Sequence, residues 1–355
     1  VELRELPLPE PQSGAAIVEV VASTVCGTDV HLQNGDFSHF ARLPLVLGHE
    51  IVGRLVALGQ GRTRDVAGRE LKEGDLVAWS YAWCGRCYWC VVAKQATLCE
   101  QPRMYGWGPA DQFPYLTGGF ADYCYVLPEC GIIKVPDGVD PAVAAAATCS
   151  FRTVVHGFER LGGIQPWETV VVQGSGPVGL WSVALAIASG ARQVLVIGAP
   201  AQRLELARRW GAAATFDIGA TTQEQRREEI LAKTDGRRPD VVIEASGAGV
   251  ALAEGLTLVR RGGRYLVIGQ GDPRPVEVDG RWINTRQLTL VGVLSGEARH
   301  YYWALQFLAD NHDRFPFAAM LGSAYALDSV ESALSAMRSM QEIKPVVLPH
   351  APAIR

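Results

Sequence analysis

The stretch over residues 170–180, V-V-V-Q-G-S-G-P-V-G-L, constrains the fold of this chain more than any other. A β-branched apolar run ends in Gly174, Gly176 and Gly179, and Pro177 stands where a helix over residues 180–188 would begin. Strand, glycine turn and helix in that order suit a dinucleotide: bare glycines let a pyrophosphate approach the backbone, and the helix N-terminus offers unpaired N–H donors. In an ordinary turn the same glycines would serve packing alone.

The surrounding pattern extends this motif into a domain. From residue 151 onward, strand-like runs at 170–172, 194–197, 241–243, 265–268 and 288–293 alternate with helix-length segments at 203–210, 222–233 and 250–260. That rhythm predicts a doubly wound, mostly parallel α/β sheet over 151–294. Residues 1–150 read differently, with short β-rich runs at 15–22, 51–57, 75–79 and 121–127 separated by Gly, Pro and Asp turns, as in an irregular antiparallel barrel or sandwich. Residues 295–355 are short for an independent domain and are expected to pack back on the first lobe. A length of 355 residues fits this two-domain reading.

Composition excludes several roles. The net charge is −4 with interspersed signs, which argues against a phosphate-tracking surface and hence against a nucleic-acid partner. No apolar run reaches the roughly 20 residues of a membrane helix, since 180–188 is cut short by Ser189 and Gly190. No signal peptide is legible. The chain opens at Val1 without a methionine, which leaves open a further N-terminal segment and any targeting signal within it.

Of the eight cysteines, Cys84, Cys87, Cys90 and Cys99 crowd together at a spacing suited to sulfurs converging on a metal, and poor for disulfides between near neighbours. A reducing, cytoplasmic compartment is therefore expected. Cys124 and Cys130 carry no motif and read as buried thiols. A second constellation is C-G-T-D-V-H, with Cys26, Thr28, Asp29 and His31, followed by G-H-E at Gly48, His49 and Glu50.

Taken together with G-G-F-A-D-Y at 118–123, G-S-G-P-V-G and the closing K-P-V-V-L, these motifs resemble in order the zinc-containing alcohol dehydrogenases of the medium-chain dehydrogenase/reductase superfamily, over essentially the whole chain. The resemblance implies a GroES-like irregular β-barrel catalytic domain beside a Rossmann domain. It implies two zinc ions per chain, one catalytic and one structural. Cys26, His49 and Cys149 match the catalytic ligands, leaving a fourth tetrahedral position for water or substrate. Glu50 would stand behind them or enter the coordination sphere during exchange, and Asp29 would fix the tautomer of His49. Cys84, Cys87, Cys90 and Cys99 match the structural tetrathiolate, although the 91–98 spacer is one residue longer than in the family, which puts Cys99 in question. Thr28 matches the hydroxyl that takes the substrate proton, and His31 the imidazole that passes it to solvent.

The cofactor implied is NAD(P), held by Gly174, Gly176, Pro177, Val178 and Gly179, with Gly198, Arg203, Gly269, Val293 and Lys344 as further contacts. NAD-selective members place an acid at the end of the second Rossmann strand for the ribose 2′-OH, whereas here V-L-V-I-G-A-P puts Gly198 there. Without that carboxylate nothing repels a 2′-phosphate, so the reading leans to NADP. Arg203 either meets the ribose or phosphate or is a solvated charge like Arg192. The family's basic residue directly after the strand is absent, Ala199 and Pro200 standing there instead.

The expected activity is hydride transfer between an alcohol and the nicotinamide, or the reverse from an aldehyde or ketone, in a homo-oligomer, either dimer or tetramer. Alternatives are a zinc-free quinone or enone reductase, disfavoured by the ligands, and a non-catalytic dinucleotide binder with structural zinc only, disfavoured by Thr28 and His31. Arg152, close after Cys149, is a charge that could recognise a polar or anionic substrate. Phe37, Trp79, Tyr81, Trp83 and Trp107 lie near motif positions and either line a cleft or fill the core.

Overall fold

The computed structural model describes residues 1–270 and 274–350. Its strands in chain order are β1 (Ala16–Thr24), β2 (Glu50–Leu58), β3 (Leu76–Trp79), β4 (Tyr123–Val126), β5 (Ile132–Lys134), β6 (Thr169–Gln173), β7 (Gln193–Gly198), β8 (Ala214–Asp217), β9 (Val241–Glu244), β10 (Arg264–Val267), β11 (Thr289–Gly292), β12 (Leu321–Tyr325) and β13 (Lys344–Val347). The chain divides into two compact units. One holds Val1–Arg152, Gly296–Asp313 and the residues from Phe317 on; the other holds Thr153–Ser295 and Arg314–Pro316. The first sequence boundary thus falls two residues later than expected, and the tail departs from the expected single block because residues 314–316 group with the second unit. The last five positions of the expected 295–355 segment lie outside the described residues.

In the first unit seven strands form one sheet, in the order β12-β13-β1-β2-β3-β5 with β4 paired to β1. β1 bonds antiparallel to β2, β4 and β13, so it has no free edge. That placement explains its nearly continuous apolar sequence, A-I-V-E-V-V-A-S-T, in which Ile17, Val18, Val20 and Ala22 are all buried. The strand pairs within residues 1–150 are all antiparallel, as expected, and the one parallel pair described in this sheet, β12 with β13, comes from the tail. The sheet curls around a core that includes Leu55, Val77, Trp79, Tyr105 and Tyr125. A smaller cluster of Val25, Val30, Val330, Leu334 and Val347 packs the helix Gly27–Asn34 against the helix Val330–Arg338. Burial of such side chains contributes about 1.5–3 kcal/mol each, which fixes the helix that follows Cys26.

In the second unit six parallel strands run in the order β11-β10-β9-β6-β7-β8. Counted along this unit, that is the 3-2-1-4-5-6 order of a doubly wound dinucleotide-binding sheet, with β6 beside the switch point. Val170, Val171 and Val172 are fully buried, as the central strand of a sheet covered on both faces requires. The sequence reading missed β8: A-T-F-D is short and only Phe216 is buried, so no periodic signal marks it.

Candidate active site

Cys26 is the N-cap of the helix Gly27–Asn34, in extended conformation, and its N–H donates to Asp29 Oδ2 at 2.9 Å. The other oxygen of Asp29 accepts from the Gly48 N–H and from His49 Nδ1, each at 3.1 Å. One fully buried carboxylate therefore ties together the two segments that carry Cys26 and His49. Because a carboxylate only accepts, Nδ1 bears the proton, which leaves Nε2 as the ring nitrogen able to bind a cation when the ring is neutral.

Cys149 arrives from a distant part of the chain, on a π-helical turn, Ala147–Phe151, continuous with the helix Pro141–Ala146. Thr148 anchors this turn: its hydroxyl donates to the Ala145 carbonyl at 2.7 Å and accepts the Ile51 N–H of β2 at 3.2 Å. Donor atoms of Cys26, His49, Glu50 and Cys149 consequently all lie within 4.8 Å of one another.

Glu50, at the start of β2, is fully buried. Its Oε2 accepts from the Thr24 hydroxyl and from the equally buried ammonium of Lys344, while Oε1 has no hydrogen-bond partner among the described residues. Burial pushes the Glu50 carboxyl up to about 7 even with Lys344 beside it. The Cys26 and Cys149 thiols hydrogen-bond to each other, which draws Cys26 well below the ordinary thiol range and pushes Cys149 above it. The donor set thus comprises two soft sulfurs hydrogen-bonded to each other, an imidazole nitrogen aimed by Asp29, and an orphaned carboxylate oxygen. These features fit a thiolate- and imidazole-binding divalent cation of the zinc type.

Thr28 lies beside this set, with Oγ1 3.9 Å from Cys26 Sγ. His31 does not; it is on the open side of the same helix, half-exposed, with Nδ1 2.7 Å from Asp36 Oδ2 and its ring edge against Phe37.

The four crowded cysteines also converge, their sulfurs all within 4.8 Å of one another, Cys99 among them. The Cys84 and Gln101 N–H groups donate to Cys99 Sγ at 3.3 and 3.4 Å, and the Glu100 N–H bonds Cys87, bringing its thiol down to about 6. The backbone donor favours the thiolate at Cys87, while burial pushes the Cys90 and Cys99 thiols up. Within the 91–98 spacer Lys94 takes a left-handed φ of 54° before the short turn Ala96–Leu98.

In the second unit, β6 leads into Gly174 at φ 118°, where a Cβ would come within 2.9 Å of the Ala245 backbone. The helix Pro177–Ala188 begins with Pro177 and Val178, both half-buried, and nothing lies within 4 Å of where a Gly176 side chain would point. Gly198 ends β7 with Ser175 against it: a Cβ there would sit 2.6 Å from Ser175 Oγ, whose hydroxyl donates to the Ala199 carbonyl at 2.8 Å. Gly269 packs on the backbone of Gly247, and Val293 follows β11, half-buried. Arg203 is buried in the helix Ala201–Arg209, not solvated.

Two residues are engaged otherwise than the sequence suggested. Lys344, expected at the nucleotide, is fully buried in the first unit on Glu50 and on the Val25 carbonyl, 3.3 Å away. Arg152, read as a substrate contact, has its side chain buried among protein groups: Nε donates to the Thr148 carbonyl at 2.8 Å, and the guanidinium faces the rings of Tyr81 and Tyr301. Of the aromatic residues, Trp79 belongs to the core, packed edge-on to Tyr105, while Trp107 pairs with Phe37. Sequence reasoning missed Thr24 and Tyr301 altogether; neither stands in a motif.

Comparisons with known proteins bear on both units. Residues 12–137 match the family described as alcohol dehydrogenase GroES-like domain, and residues 177–310 that described as zinc-binding dehydrogenase. The chain is 35% identical to a 5-exo-hydroxycamphor dehydrogenase of Pseudomonas putida, over 98% of this chain and 95% of the relative. It is 30% identical to an L-threonine 3-dehydrogenase of Bacillus subtilis, over 98% and 94%. Among solved structures, an alcohol dehydrogenase from Thermotoga maritima superposes with a TM-score of 0.93 at 34% identity, covering 98% of this chain and 95% of that one. A zinc-binding dehydrogenase from Sinorhizobium meliloti bound to NADP gives 0.85 at 28%, with the same coverage.

Proposed function

The chain belongs to the zinc-containing alcohol dehydrogenase family of the medium-chain dehydrogenase/reductase superfamily, and from that premise we propose that Cys26, His49 and Cys149 hold its catalytic zinc and that its substrate is a secondary alcohol. The enzyme is a zinc-dependent dehydrogenase that moves a hydride between an alcohol and a nicotinamide dinucleotide. The observation that carries the ligand assignment is the convergence of these side chains with the orphaned Glu50 oxygen. When bound, zinc supplies a Lewis acid for the substrate oxygen, and the nicotinamide a hydride acceptor.

The chain's own residues divide the remaining work. Asp29 orients His49; Glu50 and Lys344 form a buried ion pair behind the ligands. Thr28 Oγ1 takes the proton of the substrate hydroxyl, and His31 passes it to solvent, with Asp36 holding its Nδ1. Cys84, Cys87, Cys90 and Cys99 hold a structural zinc with no open position. A secondary hydroxyl is supported by the named substrates of the relatives, hydroxycamphor and the 3-position of threonine.

For the cofactor, we propose NADP over NAD, bound along Gly174, Gly176, Pro177, Val178 and Gly179 with Gly198, Arg203, Gly269 and Val293 nearby. Support comes from Gly198, where Ser175 fills the space an acidic side chain would need, and from the NADP-bound relative. The eight free cysteines fit a reducing, cytoplasmic setting, and among the described residues no helix is long and apolar enough to cross a membrane. A homo-oligomer, dimer or tetramer, is the expected assembly by family resemblance.

Metal analysis with a spectrophotometric screen tests this reading. The expected result is two zinc ions per chain and secondary-alcohol oxidation followed at the nicotinamide absorbance, with kcat/KM higher for NADP. A single metal, confined to the tetrathiolate, would overturn the catalytic assignment, and a preference for NAD would overturn the cofactor assignment alone.

A further inference from the structure

Arg152 follows Cys149 at the exit of the π-helical turn, and its side chain makes good a bond that the turn gives up. In an α-helix the Arg152 N–H would bond the Thr148 carbonyl four residues back. Here that N–H bonds the Ala147 and Cys149 carbonyls instead, and the guanidinium Nε reaches the Thr148 carbonyl at 2.8 Å. The residue is only 2% exposed. Its guanidinium carbon lies 4.9 Å from the ring centre of Tyr81 and 5.1 Å from that of Tyr301, so two aromatic faces grip the cation. The absence of a side chain at Gly296 gives its shaft room: a Cβ there would lie 3.2 Å from Arg152 Cδ.

The other side of the turn is braced by the Thr148 hydroxyl on Ile51, next to Glu50. Cys149 therefore projects from a widened turn fixed on both flanks, by β2 on one and by a clamped guanidinium on the other. A buried cation is costly unless hydrogen-bonded and paired, so its presence calls for a role. Recognition of a substrate would need the guanidinium to face open space, whereas its Nε is bonded to the Thr148 carbonyl and its planar group lies against the Tyr81 and Tyr301 rings. A lysine could not reproduce the arrangement, since a tetrahedral ammonium lacks the planar faces that lie against a ring while the edge donates.

We propose that Arg152 is a positioning residue for the metal centre, holding the π-helical turn so that Cys149 completes the ligand set with Cys26 and His49. This rests on the catalytic-zinc reading above. It is tested on the zinc-loaded protein by chelator-driven metal release, which resolves a phase for each site, and on the cobalt-substituted protein by its d–d absorption. In Arg152→Gln and Arg152→Lys, release from the three-ligand site is expected to quicken about 10–100-fold and its cobalt bands to shift, with the tetrathiolate phase unchanged. Should neither variant fold, Tyr301→Leu removes one ring face and keeps the Thr148 bond, with an expected quickening of about 3–10-fold.

The proposal is overturned if a folded Arg152 variant releases both metals at the wild-type rates, if both phases quicken alike, or if Arg152→Lys restores the spectrum in full. It also fails if the only change is a higher KM for some alcohols. A wild-type protein that shows the tetrathiolate phase alone would instead defeat the catalytic-zinc reading.

Discussion

Cys84, Cys87, Cys90 and Cys99 come from one short segment, whereas Cys26, His49 and Cys149 come from a helix N-cap, the entry to β2 and a π-helical turn. The local cluster has almost no core of its own: no residue of its turn Tyr88–Val91 is buried, and Tyr88, Val91, Val92 and Leu98 all face solvent. The dispersed set lies among buried groups, with Asp29, Glu50 and Lys344 fully enclosed. With the zinc ligands assigned as proposed above, the contrast separates two ways of making a metal site. In the first, the ion supplies the order that the chain lacks. In the second, the folded chain holds the ligands in place before any ion arrives, at the cost of burying charges that must be matched.

The largest expected effect tests the dispersed set. His49→Gln removes the imidazole while leaving Asp29 its bonds to the Cys26 and Gly48 N–H groups. Loss of a Lewis acid costs several kcal/mol of transition-state stabilisation, so kcat/KM should fall by about 10³-fold or more, with the melting temperature little changed. A comparable loss of fold would show that this site, too, depends on its ion.

Metal removal probes the same contrast from the other side. Full chelation should leave the far-ultraviolet circular dichroism near that of the loaded protein and open the 84–101 segment to limited proteolysis. Cleavage spread equally over the first unit would break the distinction. Next in size, Asp29→Asn should keep the fold but let His49 choose its tautomer, weakening zinc at the dispersed site about 10–100-fold and sparing the tetrathiolate. Competition with a calibrated chelator reads both affinities in one titration.

Sequence legibility follows the same division. The four clustered cysteines and the glycine turn are local patterns, and the spacing is itself the signal. Cys26, His49 and Cys149 are legible only through resemblance, since nothing in their separations says that they meet. Lys344 shows why the rest escapes: its partner Glu50 is 294 positions away, so a lysine at the start of a strand looks like any exposed charge. The π-helical turn is equally silent, because A-T-C-S-F is ordinary helix sequence and its widening goes with bonds to Ile51 and Arg152 side-chain chemistry that only the tertiary fold supplies. Even the domain boundaries were readable only to within a few residues, and the return of 314–316 to the second unit has no local mark.

The smallest effect gives the sharpest test of the local cluster. Lys94 holds a left-handed φ of 54° in the spacer between Cys90 and Cys99. That conformation costs a non-glycine residue about 1 kcal/mol, and glycine would relieve it while adding freedom to the unfolded chain, so the net gain from Lys94→Gly is only a few tenths of a kcal/mol. If the ion holds a strained loop closed, metal release from the tetrathiolate should slow about twofold, with the dispersed site unaffected, because relief of strain in the closed loop acts on that ion alone. Unchanged or faster release would mean that the left-handed Lys94 costs the cage nothing, and that the chain there is as well prepared for its ion as the dispersed set is for its own.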